Sequence, residues 1–232
     1  MRYDAILFDH DGVITTPPAL DLLHAAARET FAEAGVESPP DQHVEGLALG
    51  VTVDWLDGVC AEYGLDRDEF WSLRDGTAAA FQREAIRDGE KTLYDDVPVI
   101  GALDHDLGIV STNQHETIEF VLEHFDLADR FETYYGREPT VESVRRKKPN
   151  PHYVERAMSD LSAERALFVG DSETDVEAAR NAGIDSAYLH RPHCDGALTV
   201  EPTYELDSLT DLHDLPGVRT ADAERSETVS ES

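Results

Sequence analysis

The stretch Ala5-Ile6-Leu7-Phe8-Asp9-His10-Asp11-Gly12-Val13 decides how the rest of the chain is read. A short apolar run that stops in two aspartates and a glycine has the pattern of a buried strand whose carboxyl end opens into a polar turn. In an open parallel α/β sheet, that end is where ligands bind. Carboxylates one residue apart repel each other unless a positive charge lies between them, and a divalent metal held by oxygen ligands meets that need. The same spacing also suits a plain turn in which an aspartate caps the next helix, so other parts of the chain must decide.

Beyond Pro17 and Pro18 the pattern turns helical. Leu20, Leu23, Ala27, Phe31 and Ala34 recur at threes and fours before Gly35, which predicts a helix over 20–34. Further periodic stretches predict helices over 41–49, 53–63 and 66–87, with no strand among them. Residues 17–89 therefore read as an inserted helical bundle, with Trp55, Phe70, Trp71 and Phe81 as core candidates. From Leu93 strands alternate with helices, the signature of a parallel sheet covered by helices. Strands are predicted at 107–110, 131–135, 166–169 and 187–189. The helices between them fall at 115–124 and 151–161, with a last one running to Ala182. The fold expected is α/β: a Rossmann-like doubly wound parallel sheet core, residues 1–16 and 90–218, with an inserted α-helical domain at 17–89. Residues 219–232 have almost no apolar character and read as a disordered acidic tail.

The chain has 232 residues, 41% of them hydrophobic, enough to bury a sizeable core. Its 49 acidic and 19 basic residues give a formal net charge of -30. Such a surface repels nucleic acid and anionic membranes, and neither is expected as a partner. Lys91, Lys147 and Lys148 are the three lysines. Abundant acid with so little lysine fits a high-salt cytoplasm, where screening shortens to ~3 Å at ~1 M salt. The two cysteines, Cys60 and Cys194, are too few for a disulfide framework or a zinc site and fit a reducing compartment. No stretch approaches the ~20 apolar residues of a membrane span. A cytoplasmic monomer or homodimer is expected.

Four polar clusters fall at strand ends or in the loops beside them: Asp9-His10-Asp11-Gly12, Ser111-Thr112-Asn113, Lys148-Pro149-Asn150-Pro151, and Gly170-Asp171-Ser172-Glu173-Thr174-Asp175. Right-handed crossovers place such ends on one edge of the sheet. In composition and order they resemble the active-site motifs of the haloacid dehalogenase superfamily, over residues 1 to about 195. The resemblance implies magnesium as cofactor and, for the insert, the helical cap of the phosphoglycolate-phosphatase-like members.

Each residue type suits its expected task. Asp9 at the strand tip is the candidate nucleophile, since carboxylate attack on phosphorus splits one hard displacement into two easier ones. Asp11 is the candidate general acid and base, and by resemblance its backbone carbonyl ligates the metal. Ser111 would hydrogen-bond a phosphoryl oxygen or cap the following helix. Thr112 stands where relatives usually carry Asn, which leaves open which of Ser111 and Thr112 binds the phosphate with its side chain. Lys148, chosen over Lys147 by the Lys-Pro-x-Pro pattern, would neutralise the nucleophile and the transferring group. Asp171 completes the hard-oxygen ligand set, with Asp175 supporting it one helical turn on. The metal set is thus Asp9, Asp11, Asp171 and Asp175. Arg145, Arg146 and Lys147 form a basic island suited to attracting substrate. Residues 43–50, with His43, Glu45 or Arg83, are candidates for setting specificity. The function expected is a magnesium-dependent phosphatase acting on a small phosphorylated metabolite through an aspartyl-phosphate. A phosphomutase or a phosphometabolite-binding protein on the same fold is the alternative.

The acidic surface carries a test of its own. On moving from molar to millimolar KCl, the melting temperature is expected to fall as screening of the net charge is lost; a temperature that holds or rises contradicts the high-salt reading.

Overall fold

In the computed structural model, which describes residues 2–194 and 198–221, the decisive stretch is the central strand β1, Ala5–Phe8. All of its residues are buried, and they alternate between two cores as the two-residue period of a strand requires. Ile6 and Phe8 join the core on one face with Ile109, Leu167 and Val169. Ala5 and Leu7 join the core on the other with Val110, Tyr153 and Phe168.

The remaining strands are β2 (Asp106–Gln114), β3 (Thr133–Arg137), β4 (Ala166–Gly170), β5 (Asp185–Leu189) and β6 (Tyr204–Leu206). The sheet order is β3-β2-β1-β4-β5-β6 and every pairing is parallel. The order reverses about β1, so the crevice at a topological switch point falls at the carboxyl end of that strand. Phe8 pairs with Ile109 on one side and Val169 on the other. Asp9, Ser111 and Asp171 therefore stand at nearly the same height along the sheet.

Helices α1 (Leu20–Glu33), α2 (Asp41–Leu49), α3 (Val53–Tyr63) and α4 (Arg67–Arg87) fill the connection from β1 to β2. Asp66 caps α4, its carboxylate accepting from the amides of Asp68 and Glu69 at 3.0 and 2.9 Å. These helices enclose their own apolar core, with Phe31, Leu47, Leu56, Phe70 and Trp71 buried. Two of the four aromatics expected there behave otherwise. Trp55 is only partly buried against this core, and Phe81 is half-exposed on the outer side of α4, beside Ser72, Thr77 and Ala80.

After β2 come α5 (His115–His124), α6 (Val141–Arg145), α7 (His152–Asp160) and α8 (Glu173–Ala182). Strand β2 runs on through Ser111 to Gln114 instead of stopping at Val110, with a register shift against β3 between Val110 and Gln114. Helix α6 and strand β6 have no counterpart among the expected elements, being only five and three residues long. Val141 and Val144 of α6 pack into the core of the helical block. Of the expected tail, Arg219 is tied to the core, its amide donating to His105 Nε2 at 2.7 Å, and Thr220 bridges Leu103. Residues 222–232 lie outside the described residues.

The helical block is fastened to the sheet by a buried carboxylate. Asp75 of α4 receives both terminal nitrogens of Arg137 from β3, at 2.8 and 3.0 Å, and Arg74 at 2.9 Å. Burial alone would raise the Asp75 carboxyl, but Arg137 and Arg74 outweigh it and hold the group below its ordinary range. A folded-state value below the unfolded one adds stability above the ordinary carboxylate pKa, and that stability is lost as pH falls through the folded value. Asp75→Asn is expected to cost about 3–5 kcal/mol in denaturant unfolding at neutral pH. It should also remove part of the acid limb of the stability curve below about pH 4. A loss under about 1 kcal/mol, the ceiling typical of an exposed pair, contradicts the fastening.

Candidate active site

At the carboxyl end of β1 the backbone is held before the side chains are placed. The Asp9 amide donates to the Val169 carbonyl at 2.9 Å, continuing the β1–β4 ladder by one rung. The His10 amide donates to Asp9 Oδ1 at 2.7 Å. The other carboxylate oxygen of Asp9 lies 2.8 Å from Lys148 Nζ, whose second partner is Asp175 Oδ1 at 2.5 Å. All three side chains are buried. Asp175 is fixed at the start of α8, its Oδ2 accepting from the Ser172 amide at 3.0 Å and the Ser172 hydroxyl at 2.7 Å. The residue expected to support a metal therefore also aims Lys148 at Asp9.

Asp171 follows β4 directly and stands beside these two carboxylates. Oxygens of Asp9, Asp171 and Asp175 lie within 4.8 Å of one another. The approach depends on glycine: a Cβ on Gly12, at φ +84°, would fall 2.1 Å from Asp171 Oδ2, and one on Gly170 would fall 2.3 Å from the Asp175 Cβ. Crowding shows in the electrostatics. Burial pushes the Asp9 carboxyl up to about 8, against the pull of Lys148, with Asp175 and Asp171 adding to the rise. Burial and Asp175 raise Asp171 likewise. Burial would lower Lys148, but Asp175 and Asp9 outweigh it and raise the group. Three carboxylates against one ammonium leave negative charge uncompensated, and an all-oxygen set of this kind fits a hard divalent cation. Asp171 Oδ2 also lies 2.6 Å from His193 Nε2, and the Cys194 thiol donates to the Asp171 carbonyl at 3.3 Å.

The Asp11 side chain turns away from that cluster. Its Oδ1 meets Lys91 Nζ at 2.5 Å, His10 Nδ1 at 3.1 Å and the Thr15 hydroxyl at 3.2 Å, while Oδ2 accepts from Asn113 Nδ2 at 2.6 Å. Burial would raise the Asp11 carboxyl; Lys91 and His10 outweigh it and hold it far below the usual carboxylate range. Of the four residues expected to ligate a metal, Asp11 is the one whose carboxylate lies outside the acidic cluster. Ser111 is buried and its hydroxyl accepts from the Asn113 amide at 3.2 Å. It does not cap α5, whose N-cap is Gln114. The Thr112 carbonyl accepts from Arg137 Nε at 2.9 Å.

The sequence assigned no role to Lys91 or Gln82, and Asn113 entered only as the last residue of the Ser111-Thr112-Asn113 cluster. Gln82 Oε1 accepts from Lys91 at 2.9 Å and from Asn113 Nδ2 at 2.8 Å, so the three hold Asp11 together. A signal existed. Lys91 is one of three lysines in the chain, and Gln82 follows Trp71, Asp75 and Ala78 at helical spacing on the buried side of α4.

Of the stretch 43–50 suggested for specificity, Ala48 and Leu49 line the cavity beside Asp11, whereas the three side chains named with it are placed elsewhere. His43 is buried inside the helical block, with Nδ1 2.8 Å from the Tyr63 hydroxyl. Glu45 is exposed. Arg83 pairs with Glu116 of α5 at 3.1 Å. Instead Trp71, Arg74, Gln82, Thr112, Arg137 and Lys147 line the cavity beside Asp11. The basic island divides: Arg145 and Arg146 pair with Glu142 at the surface, while Lys147 turns into this cavity.

Residues 3–183 match the family model described as haloacid dehalogenase-like hydrolase. Pyrophosphatase PpaX of Anoxybacillus flavithermus is 30% identical over 226 residues, 94% of this chain and 99% of that protein. PpaX of Bacillus velezensis is 31% identical over 134 residues, 56% of this chain and 60% of that protein. Among solved structures, CbbY from Rhodobacter sphaeroides in complex with phosphate superposes with a TM-score of 0.67 at 20% identity, covering 91% of this chain and 96% of that one. A predicted phosphoglycolate phosphatase from Haemophilus somnus gives 0.62 at 20% identity, covering 92% and 98%. These two structures share the fold. No helix among the described residues is long and apolar enough to cross a membrane.

The glycine beside Asp171 gives a test. Gly12→Ala is expected to weaken binding of a divalent cation roughly tenfold or more, the scale on which loss of a ligand's support acts. Calorimetric titration with Mg2+ measures it. An affinity equal to that of the parent protein contradicts the assignment of Asp171 to the metal.

Proposed function

The chain belongs to the haloacid dehalogenase-like hydrolase family, and from that premise we propose that it is a magnesium-dependent phosphatase of a small phosphorylated metabolite. The helices of residues 17–89 act as its cap over the core of residues 1–16 and 90–218. The observation that carries the reading is the gathering of Asp9, Asp171, Asp175 and Lys148 at one strand end, with Asp11 held beside them. A second aspartate at position 11 suits proton transfer in phosphoryl chemistry, and a binding protein has no use for one.

Asp9, Asp171, Asp175 and the Asp11 carbonyl would hold Mg2+. Once bound, the ion supplies positive charge against the phosphoryl oxygens and against the crowded carboxylates. A carboxylate oxygen of Asp9 forms the new bond to phosphorus as the ester oxygen departs. Water then attacks phosphorus and releases inorganic phosphate, which restores Asp9. Lys148 offsets charge on Asp9 and the transferring group, and Asp175 keeps it there. Ser111 donates its hydroxyl to a phosphoryl oxygen, with Thr112 next to it on the same strand end.

Asp11 moves the protons. Bonded to Lys91 and Asn113 it is a carboxylate, the form that accepts a proton from the attacking water. To give a proton to the leaving oxygen it must part from Lys91 and first take up a proton, from solvent or from the water consumed in the preceding turnover.

The reading is tested by phosphate release from an aryl phosphate, measured with Mg2+ and after chelation. Activity is expected only with the metal, and Asp9→Asn should abolish it, by a factor of about 10³ or more if the covalent route is lost. Activity surviving in that variant, or unaffected by chelation, contradicts the proposal. Isomerisation of a sugar phosphate without net release would identify a mutase, and tight binding without turnover a binding protein.

A further inference from the structure

Beside Asp11, between α4, the ends of β2 and β3 and residues 47–51, lies a cavity of about 230 Å³. Its charge is opposite to that of the protein as a whole. Arg74, Arg137 and Lys147 line it, and the one buried carboxylate set among them is Asp75. Asp75 is already saturated by the two arginines. Both guanidinium groups lie over the Trp71 ring, 5.3 and 5.0 Å from its centre, and Arg74 also donates to the Leu47 and Ala48 carbonyls.

Lys147 differs. Among the described residues its only hydrogen-bond partner is the Val51 carbonyl, at 3.0 Å, although an ammonium has three donors. Burial pushes this lysine down to about 8, and Arg137 and Arg74 push the same way, with Asp75 alone opposing. A protein of net charge -30 with three lysines thus keeps one of them facing two arginines in a half-enclosed space. Uncompensated buried charge is costly, and an anion is the partner that relieves it.

We propose that this cavity is a second anion subsite of the same active site: the substrate's leaving group carries a carboxylate or a second phosphate that docks on Lys147, in the field of Arg74 and Arg137. The inference rests on the phosphatase reading and narrows its substrate class. The leaving-group side is assigned by Asp11, the proton-transferring residue two positions from Asp9, which lines the cavity together with Thr112 of the neighbouring strand end. The organic product is then itself an anion, a hydroxy acid or a monophosphate.

Three substrates of matched chain length test it at fixed KCl: a phosphorylated hydroxy acid, a bisphosphate and a phosphorylated alcohol with a neutral tail. The parent enzyme is expected to prefer at least one anionic tail by about tenfold or more in kcat/KM, the order of one charge-assisted hydrogen bond. Which tail gains separates carboxylate from phosphate. Lys147→Gln should remove most of that preference, chiefly through KM, Lys147→Arg should restore much of it, and Arg145→Gln at the surface should leave it intact. Equal preference in the parent and Lys147→Gln, or no preference in the parent, overturns the subsite. Calorimetric binding of the same compounds to Asp9→Asn, with and without Lys147→Gln, reads the subsite without turnover. Tail preference there without turnover by the parent enzyme keeps the subsite and removes the phosphatase reading. Turnover without tail preference does the reverse, and failure of all three to bind or react removes both.

Discussion

The ammonium of Lys148, buried between Asp9 and Asp175, is the contact on which the site depends. A carboxylate at the tip of a fully buried strand is held in place at a large desolvation cost, and two further carboxylates beside it add repulsion. One cation cannot balance three anions. The arrangement is stable as a folded object because Lys148 offsets part of the charge and because Ser172 and the His10 amide satisfy the remaining oxygens. The deficit that remains suits the cluster to a hard divalent cation.

The fold brings this about through register. Phe8 sits level with Ile109 and Val169, so residues from three strands far apart in the chain come to the same edge of the sheet. Gly12 and Gly170 then let the Asp171 and Asp175 carboxylates approach where any larger residue would collide. The helical block adds a second layer of control: Asp75 ties α4 to β3, and Gln82 ties it to the Lys91–Asn113–Asp11 network. Position of the block and state of Asp11 are therefore mechanically linked.

Much of this was legible in the sequence for a plain reason. The sheet, its long helices and the strand-end clusters are written in local periodicity and in short motifs, and Asp9, Lys148, Asp171 and Asp175 meet where the motifs place them. The short elements α6 and β6 were not legible, because five and three residues carry too little period to register. The Lys91 contact escaped for a different reason: its partners, Asp11 and Gln82, belong to separate elements and share no motif. His43 misled because a histidine in a helical stretch looks polar, whereas here Tyr63 satisfies it within the block. The cavity cations were half visible. The basic island drew attention, but only tertiary packing shows that Lys147 turns inward while Arg145 and Arg146 stay with Glu142.

The charge pattern of the whole molecule gives these contacts their meaning. Acidic groups cover the exterior, and the cations that matter, Lys91, Lys147 and Lys148, are withdrawn to the site and its adjoining cavity. An anionic ligand that reaches the cleft finds local attraction within a repulsive exterior. The most direct test of the central claim is a rapid acid quench of the first turnover, followed by mass spectrometric mapping of the enzyme. The account requires one phosphoryl group on the peptide carrying Asp9, labile to alkali and to hydroxylamine. Turnover with that peptide unmodified, or a phosphoryl group on any other residue, would contradict it.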